Sequence, residues 1–304
     1  MTLFGLEVER SYWLATIGVV LGIYLWFFLT VAVKFVDTRN AKIVTQNFEE
    51  LQTLKEQISL LQRLKFDNVV YTEAVLPILP ESLNRIDTIH FTVYTTLSVD
   101  EYSVKETAQF VEKIYNTIIA DTELYNFNPY EKFTIYIYKD AQQYKELTKR
   151  PVWSGGFVLN RKIYTFEGQH LKYILSHEIT HLIFNDFMNG KAEKISQWLN
   201  EGLAMYEETK TTGIKKPQFD RTKRIPIDEF LIFDLSNAEA EKVNLWYQQA
   251  ESLVTFLIEK RAKLKFYNFL VKLKETENVN EALFWGYQSE FKSIGDLENV
   301  WLKE

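Results

Sequence analysis

Leu175-Ser176-His177-Glu178-Ile179-Thr180-His181 sets two histidines four residues apart, with a glutamate next to the first. On a helix, positions four apart lie on one face. Both imidazoles then reach a single metal ion, and Glu178 lies beside the same point, which is the H-E-x-x-H spacing. The competing reading is two surface histidines around an unrelated glutamate. The chain has 304 residues and only four histidines, His90, His170, His177 and His181, so two at ligand spacing are notable. There is no cysteine. A disulfide framework and a thiolate metal site are therefore excluded, and any metal must be held by His, Asp or Glu.

Outward from this segment, residues 169 to 188 read as one helix, with Gly190 as its C-terminal stop. Leu171, Leu175, Ile179, Leu182 and Ile183 form its apolar face, and His177 and His181 flank that face. His170 reads as a polar residue near the helix start, and His90, in a predicted strand, as structural. Catalytic zinc takes three protein ligands and keeps a fourth position for water. The third is sought in Trp198-Leu199-Asn200-Glu201-Gly202-Leu203-Ala204. Ser196 can cap a helix starting near Gln197. Glu201 then sits one turn inside, between Trp198 and Met205, where a carboxylate is unfavourable unless paired or ligating. The alternative is a surface glutamate, like Glu207 and Glu208 after it.

His177-Glu178-Ile179-Thr180-His181 followed by Trp198-Leu-Asn-Glu-Gly-Leu-Ala resembles the gluzincin zinc metallopeptidases, and within them the bacterial peptidase MA-like domain. The resemblance runs from about residue 89 to 260. It takes in Phe133 to Tyr138, Trp153-Ser-Gly-Gly, and Tyr247-Gln-Gln-Ala-Glu-Ser-Leu-Val. It implies one Zn²⁺ ion held by His177, His181 and Glu201, with Glu178 as general base. It also implies a tyrosine that helps stabilise the oxyanion, for which Tyr247 is the candidate, a core tyrosine being the alternative. Asn200 is the candidate to orient a ligand from behind. The resemblance further implies a sheet edge that holds an extended peptide, here the segment Gly156 to Phe166, beginning with Gly156 and Phe157. The Gly-x-Met-Glu-Asn motif of aminopeptidases is absent, which favours an endopeptidase.

The rest of the chain gives the setting. Residues 11 to 33 carry no charged side chain over 23 positions, enough to span a bilayer core as a helix. Tyr12 and Trp13 are interfacial aromatics at one end. Glu7 and Glu9 before the run, and the run's length, argue against a cleaved signal peptide. Lys34, Arg39 and Lys42 follow it, so the positive-inside rule points to the cytoplasm, whereas the resembled proteins point to an extracytoplasmic domain, the side preferred here. Residues 40 to 66 read as a helical stalk. Its spacing at Val44, Leu51, Leu54, Ile58 and Leu61 makes self-association through residues 44 to 65 the alternative to packing on its own domain. Pro77 and Pro80 mark a linker at 72 to 84. The expected domains are thus 1–39 with the single-pass anchor, 40–84 as stalk and linker, and 85–304 as the peptidase-like domain.

Within that domain the expected fold is α+β, a small, mostly antiparallel sheet followed by a helical half that carries the zinc site. Strands are predicted at Ile89 to Thr95 and Phe133 to Tyr138. A helix is predicted from Ser98 to Ala120, and a hairpin turning at Asn160-Arg161. Residues 211 to 235 read as a loop and 244 to 274 as two helices. Net charge is −6, so no nucleic-acid partner is expected; the resemblance implies a peptide or protein substrate. The rival from another class is a membrane-bound scaffold that keeps the peptidase fold without turnover. Intact Glu178 argues against it.

Overall fold

The computed structural model describes residues 76–96, 101–150, 155–213, 216, 218–235 and 238–304, all within the unit Ile58–Glu304. The expected span at 11–33, the stalk at 40–66, and Trp153 and Ser154 lie outside the described residues. Among the described residues no helix is long and apolar enough to cross a membrane.

The first half is a five-stranded sheet. Its strands are β1 (Asn84–Asp87), β2 (Phe91–Thr95), β3 (Phe133–Tyr138), β4 (Gly156–Leu159) and β5 (Lys162–Phe166), in the order β1-β2-β3-β5-β4. The sheet is mixed, not mostly antiparallel. β1–β2 and β4–β5 pair antiparallel, but β2–β3 and β3–β5 pair parallel. The reason is the connection. A two-residue turn joins antiparallel strands, whereas parallel strands need a long crossover, most often helical. Here α1 (Glu101–Thr122) joins β2 to β3, while α2 (Ala141–Thr148) and strand β4 intervene between β3 and β5. The β4–β5 turn is the one the sequence marks. Asn160 and Arg161 both have positive φ, 50° and 61°, as a two-residue hairpin turn matched to strand twist requires. The strand predicted at Ile89 to Thr95 starts two residues later, at Phe91, and β1 before it was not predicted. Ile89 and His90 form the turn between β1 and β2, with Ile89 exposed and His90 tied to Glu112 through Nδ1 at 2.7 Å.

Both faces of the sheet are covered, which explains why Phe133-Thr-Ile-Tyr-Ile-Tyr138 lacks a polar face. Phe133, Ile135 and Ile137 join the main core with the helices. Tyr136 and Tyr138 face the other way, into a smaller cluster with Tyr144, Phe157 and Tyr164. Tyr94, Tyr136, Tyr164 and Phe157 lie in register across four strands and stack ring on ring at 5.1–5.2 Å.

The second half is helical: α3 (Leu171–Phe187), α4 (Ala192–Ile195), α5 (Gln197–Thr212), α6 (Ile227–Leu231), α7 (Ala240–Thr255), α8 (Lys263–Thr276), α9 (Val279–Gly286) and α10 (Ile294–Trp301), with a π-helical turn Phe256–Lys260 after α7. α3 packs on β4 and β5, on α1 and on α5, and every residue from Ile174 to Thr180 is buried. The stretch 211–235 is more than a bordering loop. Thr211 and Thr212 still belong to α5, and Ile225, Ile227, Phe230 and Leu235 enter the core. The stretch is held by Gln249, whose buried amide accepts from Ile225 N–H at 2.8 Å and donates to Ile225 C=O at 2.9 Å.

Candidate active site

Two helices build the site. α3 carries His177, Glu178 and His181, and α5 carries Asn200, Glu201 and Glu208. Ser196 occupies the position before α5, but its hydroxyl makes no capping bond and is buried without a partner. α5 therefore starts where the sequence places it for a different reason: Trp198, Leu199 and Leu203 anchor it in the core.

The structure brings the two histidines and the glutamate together. Nε2 of His177 and Nε2 of His181 stand 3.0 Å apart. Oε2 of Glu201 is 3.6 Å from the first and 3.7 Å from the second. Four-coordinate zinc with bonds of about 2.0–2.2 Å places its ligand atoms roughly 3.3–3.5 Å apart, so this triangle fits one ion. The hydrogen bond of His181 fits as well. His181 donates from Nδ1 to Asn200 Oδ1 at 3.0 Å, which leaves its Nε2 as a bare lone pair. Nδ1 of His177 faces Glu208 Oε2 at 3.7 Å, an ion-pair distance. The donor set of two imidazoles and one carboxylate suits Zn²⁺.

The surroundings are buried and rich in negative charge. His177, Glu178 and Glu201 are 4%, 6% and 6% exposed. Burial alone would lower the pKa of His177, but Glu201 and Glu208 beside it outweigh that and raise it to about 10. Burial would raise Glu201, yet His181 and His177 hold it below the usual carboxylate range. Glu178 is raised, first by burial and further by Glu201, against the pull of the two imidazoles.

The remaining expected residues fall as follows. Asn200 accepts from His181 Nδ1 at 3.0 Å. Tyr247 is wholly buried on α7, edge-on to Trp246 at 5.2 Å, so its observed surroundings are those of a core residue. β4 is at the edge of the described sheet, with Gly156 so near α3 that a Cβ there would meet Ile174 Cγ2 at 2.7 Å. The Phe157 side chain points to the aromatic layer on the far face, which leaves the β4 main chain as the usable part of this edge. His170 precedes α3 and pairs with Gln169 at 3.0 Å. A cavity of about 660 Å³, lined by residues such as Leu182, Asp186, Arg161 and Tyr267, opens elsewhere and includes none of the His-His-Glu cluster.

Sequence reasoning missed Glu208 and Glu207, placing both on a surface. Glu208 is 3% exposed and Glu207 is completely buried. The signal for Glu208 was there: it lies seven residues, two helical turns, after Glu201, hence on the same face of α5. Glu207 faces the opposite side. Among the described residues neither of its oxygens has a hydrogen-bond partner. Burial, then Asp121 of α1, push its pKa well above the carboxylate range, with Lys263 and Lys210 opposing. Between the unfolded and the folded pKa the unfolded chain has released this proton and the folded chain keeps it. Stability therefore falls as pH rises above the unfolded pKa, by about 1.4 kcal/mol per pH unit while the two differ. Glu207→Gln removes that penalty. The variant is expected to match the wild type near pH 5 and to melt higher near pH 8, and equal melting temperatures at both pH values would refute the assignment.

A sequence model of the peptidase MA superfamily matches residues 115–304. The match covers well over half of the chain and extends past residue 260, taking in α8, α9 and α10 with the His-His-Glu cluster. No curated protein matches the chain significantly. With its two-helix cluster inside the matched region, the chain belongs to the peptidase MA superfamily.

Proposed function

We propose that this protein is a zinc-dependent endopeptidase of the gluzincin type, held at a membrane by residues 11–33 with its domain outside the cytoplasm. The observation that carries the catalytic part is the convergence of His177 Nε2, His181 Nε2 and Glu201 Oε2 beside the buried carboxylate of Glu178. Zinc bound there supplies a water that ionises near neutral pH and an electrophile for the peptide carbonyl. The chain's own residues do the rest. Asn200 fixes the tautomer and tilt of His181. Glu178 takes a proton from the attacking water and returns it to the leaving amine. The outer edge of β4, last in the strand order, aligns an extended peptide by strand addition.

The test is digestion of unfolded casein by the purified full-length protein. Cleavage is expected to stop on treatment with a chelator and to return with added zinc. Cleavage indifferent to the chelator would overturn the metal assignment. Bound zinc without cleavage would favour the rival scaffold. The membrane part has its own test. Protease added to intact cells is expected to digest the domain, and protection of the domain would place it in the cytoplasm.

A further inference from the structure

We propose that Lys216, in the segment after α5, is a positioning residue of the metal site. It holds the Glu208 carboxylate against Nδ1 of His177 and so helps fix the orientation of that ligand. The inference rests on the reading of His177 as a metal ligand and extends it to a residue outside both zinc motifs.

The geometry is a line of alternating charges. Oε2 of Glu208 is 3.7 Å from His177 Nδ1, and the other oxygen, Oε1, is 3.7 Å from Lys216 Nζ. One carboxylate thus spans the imidazole and the ammonium. Lys216 is itself held. Its Nζ donates to both oxygens of Glu251 on α7, at 3.3 and 3.2 Å, and to Met205 C=O at 3.5 Å. Glu251 in turn accepts from Thr209 Oγ1 at 2.7 Å. The side chains of Glu208, Glu251 and Lys216 are only 3%, 14% and 18% exposed, so the charges are poorly screened by solvent. A carboxylate behind a ligating histidine orients the ring and strengthens it as a donor. Glu208 can do this only while its second oxygen is held away from the imidazole, and Lys216 is the cation that holds it.

A plainer role would be charge neutralisation alone, with Lys216 stabilising two buried glutamates and leaving the metal unaffected. The two differ in zinc affinity. The full-length protein and its variants would be titrated with zinc against a chromophoric chelator, with the visible spectrum of the cobalt-substituted forms and the melting temperature recorded alongside. Lys216→Met and Glu208→Gln are each expected to weaken zinc binding about 10- to 100-fold and to change the cobalt spectrum. Lys216→Arg is expected to restore both. The double variant is expected to bind no more weakly than Glu208→Gln, because Lys216 acts through Glu208. Glu251→Gln is expected to lower the melting temperature while leaving zinc affinity near the wild-type value. If Lys216→Met does not fold, Lys216→Gln removes the charge and keeps a donor for Met205 and Glu251. Wild-type zinc affinity in Lys216→Met or Lys216→Gln, or multiplied losses in the double variant, would overturn the inference and leave the proposed function standing. A wild-type protein that binds no zinc would overturn both.

Discussion

Glu178→Gln is expected to lower kcat/KM for peptide hydrolysis by about 10²- to 10⁴-fold, with zinc content unchanged. Glutamine keeps the shape and size of the side chain but cannot take up a proton at this site. Glu178 is not part of the triangle of ligand atoms, so the metal should remain. The fold should also remain, and melting should rise slightly. Glu178 is buried, and Glu201 beside it opposes its ionisation, so removing the acid relieves an unfavourable group. The measurement is steady-state hydrolysis of an internally quenched peptide, with metal analysis of the same preparation. A variant that keeps zinc and activity within tenfold of the wild type would remove Glu178 from the general-base role. A variant that loses zinc would mean that the residue holds the site together instead.

The parts of the site legible in the sequence are those set by helical periodicity. His177 and His181 repeat at one turn, and both lie on α3, as the spacing requires. Glu201 stood out because a carboxylate one turn into an apolar helix is costly alone, and it is buried beside both histidines. Glu208 follows the same face of α5 but was read by residue type, as one more surface glutamate. Burial of an acid is decided by the partners that meet it, here His177 on α3 and Lys216 from beyond α5, and no local pattern reveals them. The sheet shows a similar limit. Each strand from β2 to β5 was placed by alternation and turn chemistry, but pairing direction follows from connections. The alternation of strands and helices pointed to parallel pairs, and the hairpin at Asn160-Arg161 drew the reading to antiparallel ones. The core of the 211–235 stretch was unreadable for a third reason. Its apolar residues are scattered singly, and they are buried because Gln249 and the α7 face hold the chain down.

Gly202→Ala is expected to destabilise the protein by about 3 kcal/mol or more and to weaken metal binding with it. Gly202 follows Glu201 where α5 packs on α7. A Cβ at this position would meet Ala250 C=O oxygen at 2.5 Å, the carbonyl carbon at 2.8 Å and Val254 Cγ2 at 2.9 Å. A side chain can swing aside but a helix backbone cannot, so α5 must move away from α7. That movement carries Glu201 and Glu208 away from the histidines of α3 and loosens the hold of Lys216 on Glu251. For a domain of this size the loss corresponds to a melting temperature lower by roughly 5–10 °C. Gly286→Ala separates the two effects. Its Cβ would strike the Phe269 backbone between α9 and α8, a contact of the same kind that involves neither α3 nor α5. Gly286→Ala should lower the melting temperature comparably and leave zinc affinity at the wild-type value, while Gly202→Ala should lower both. Equal zinc affinity in the two variants would show that the ligands tolerate displacement of α5, and the tight α5–α7 crossing would then serve the fold alone.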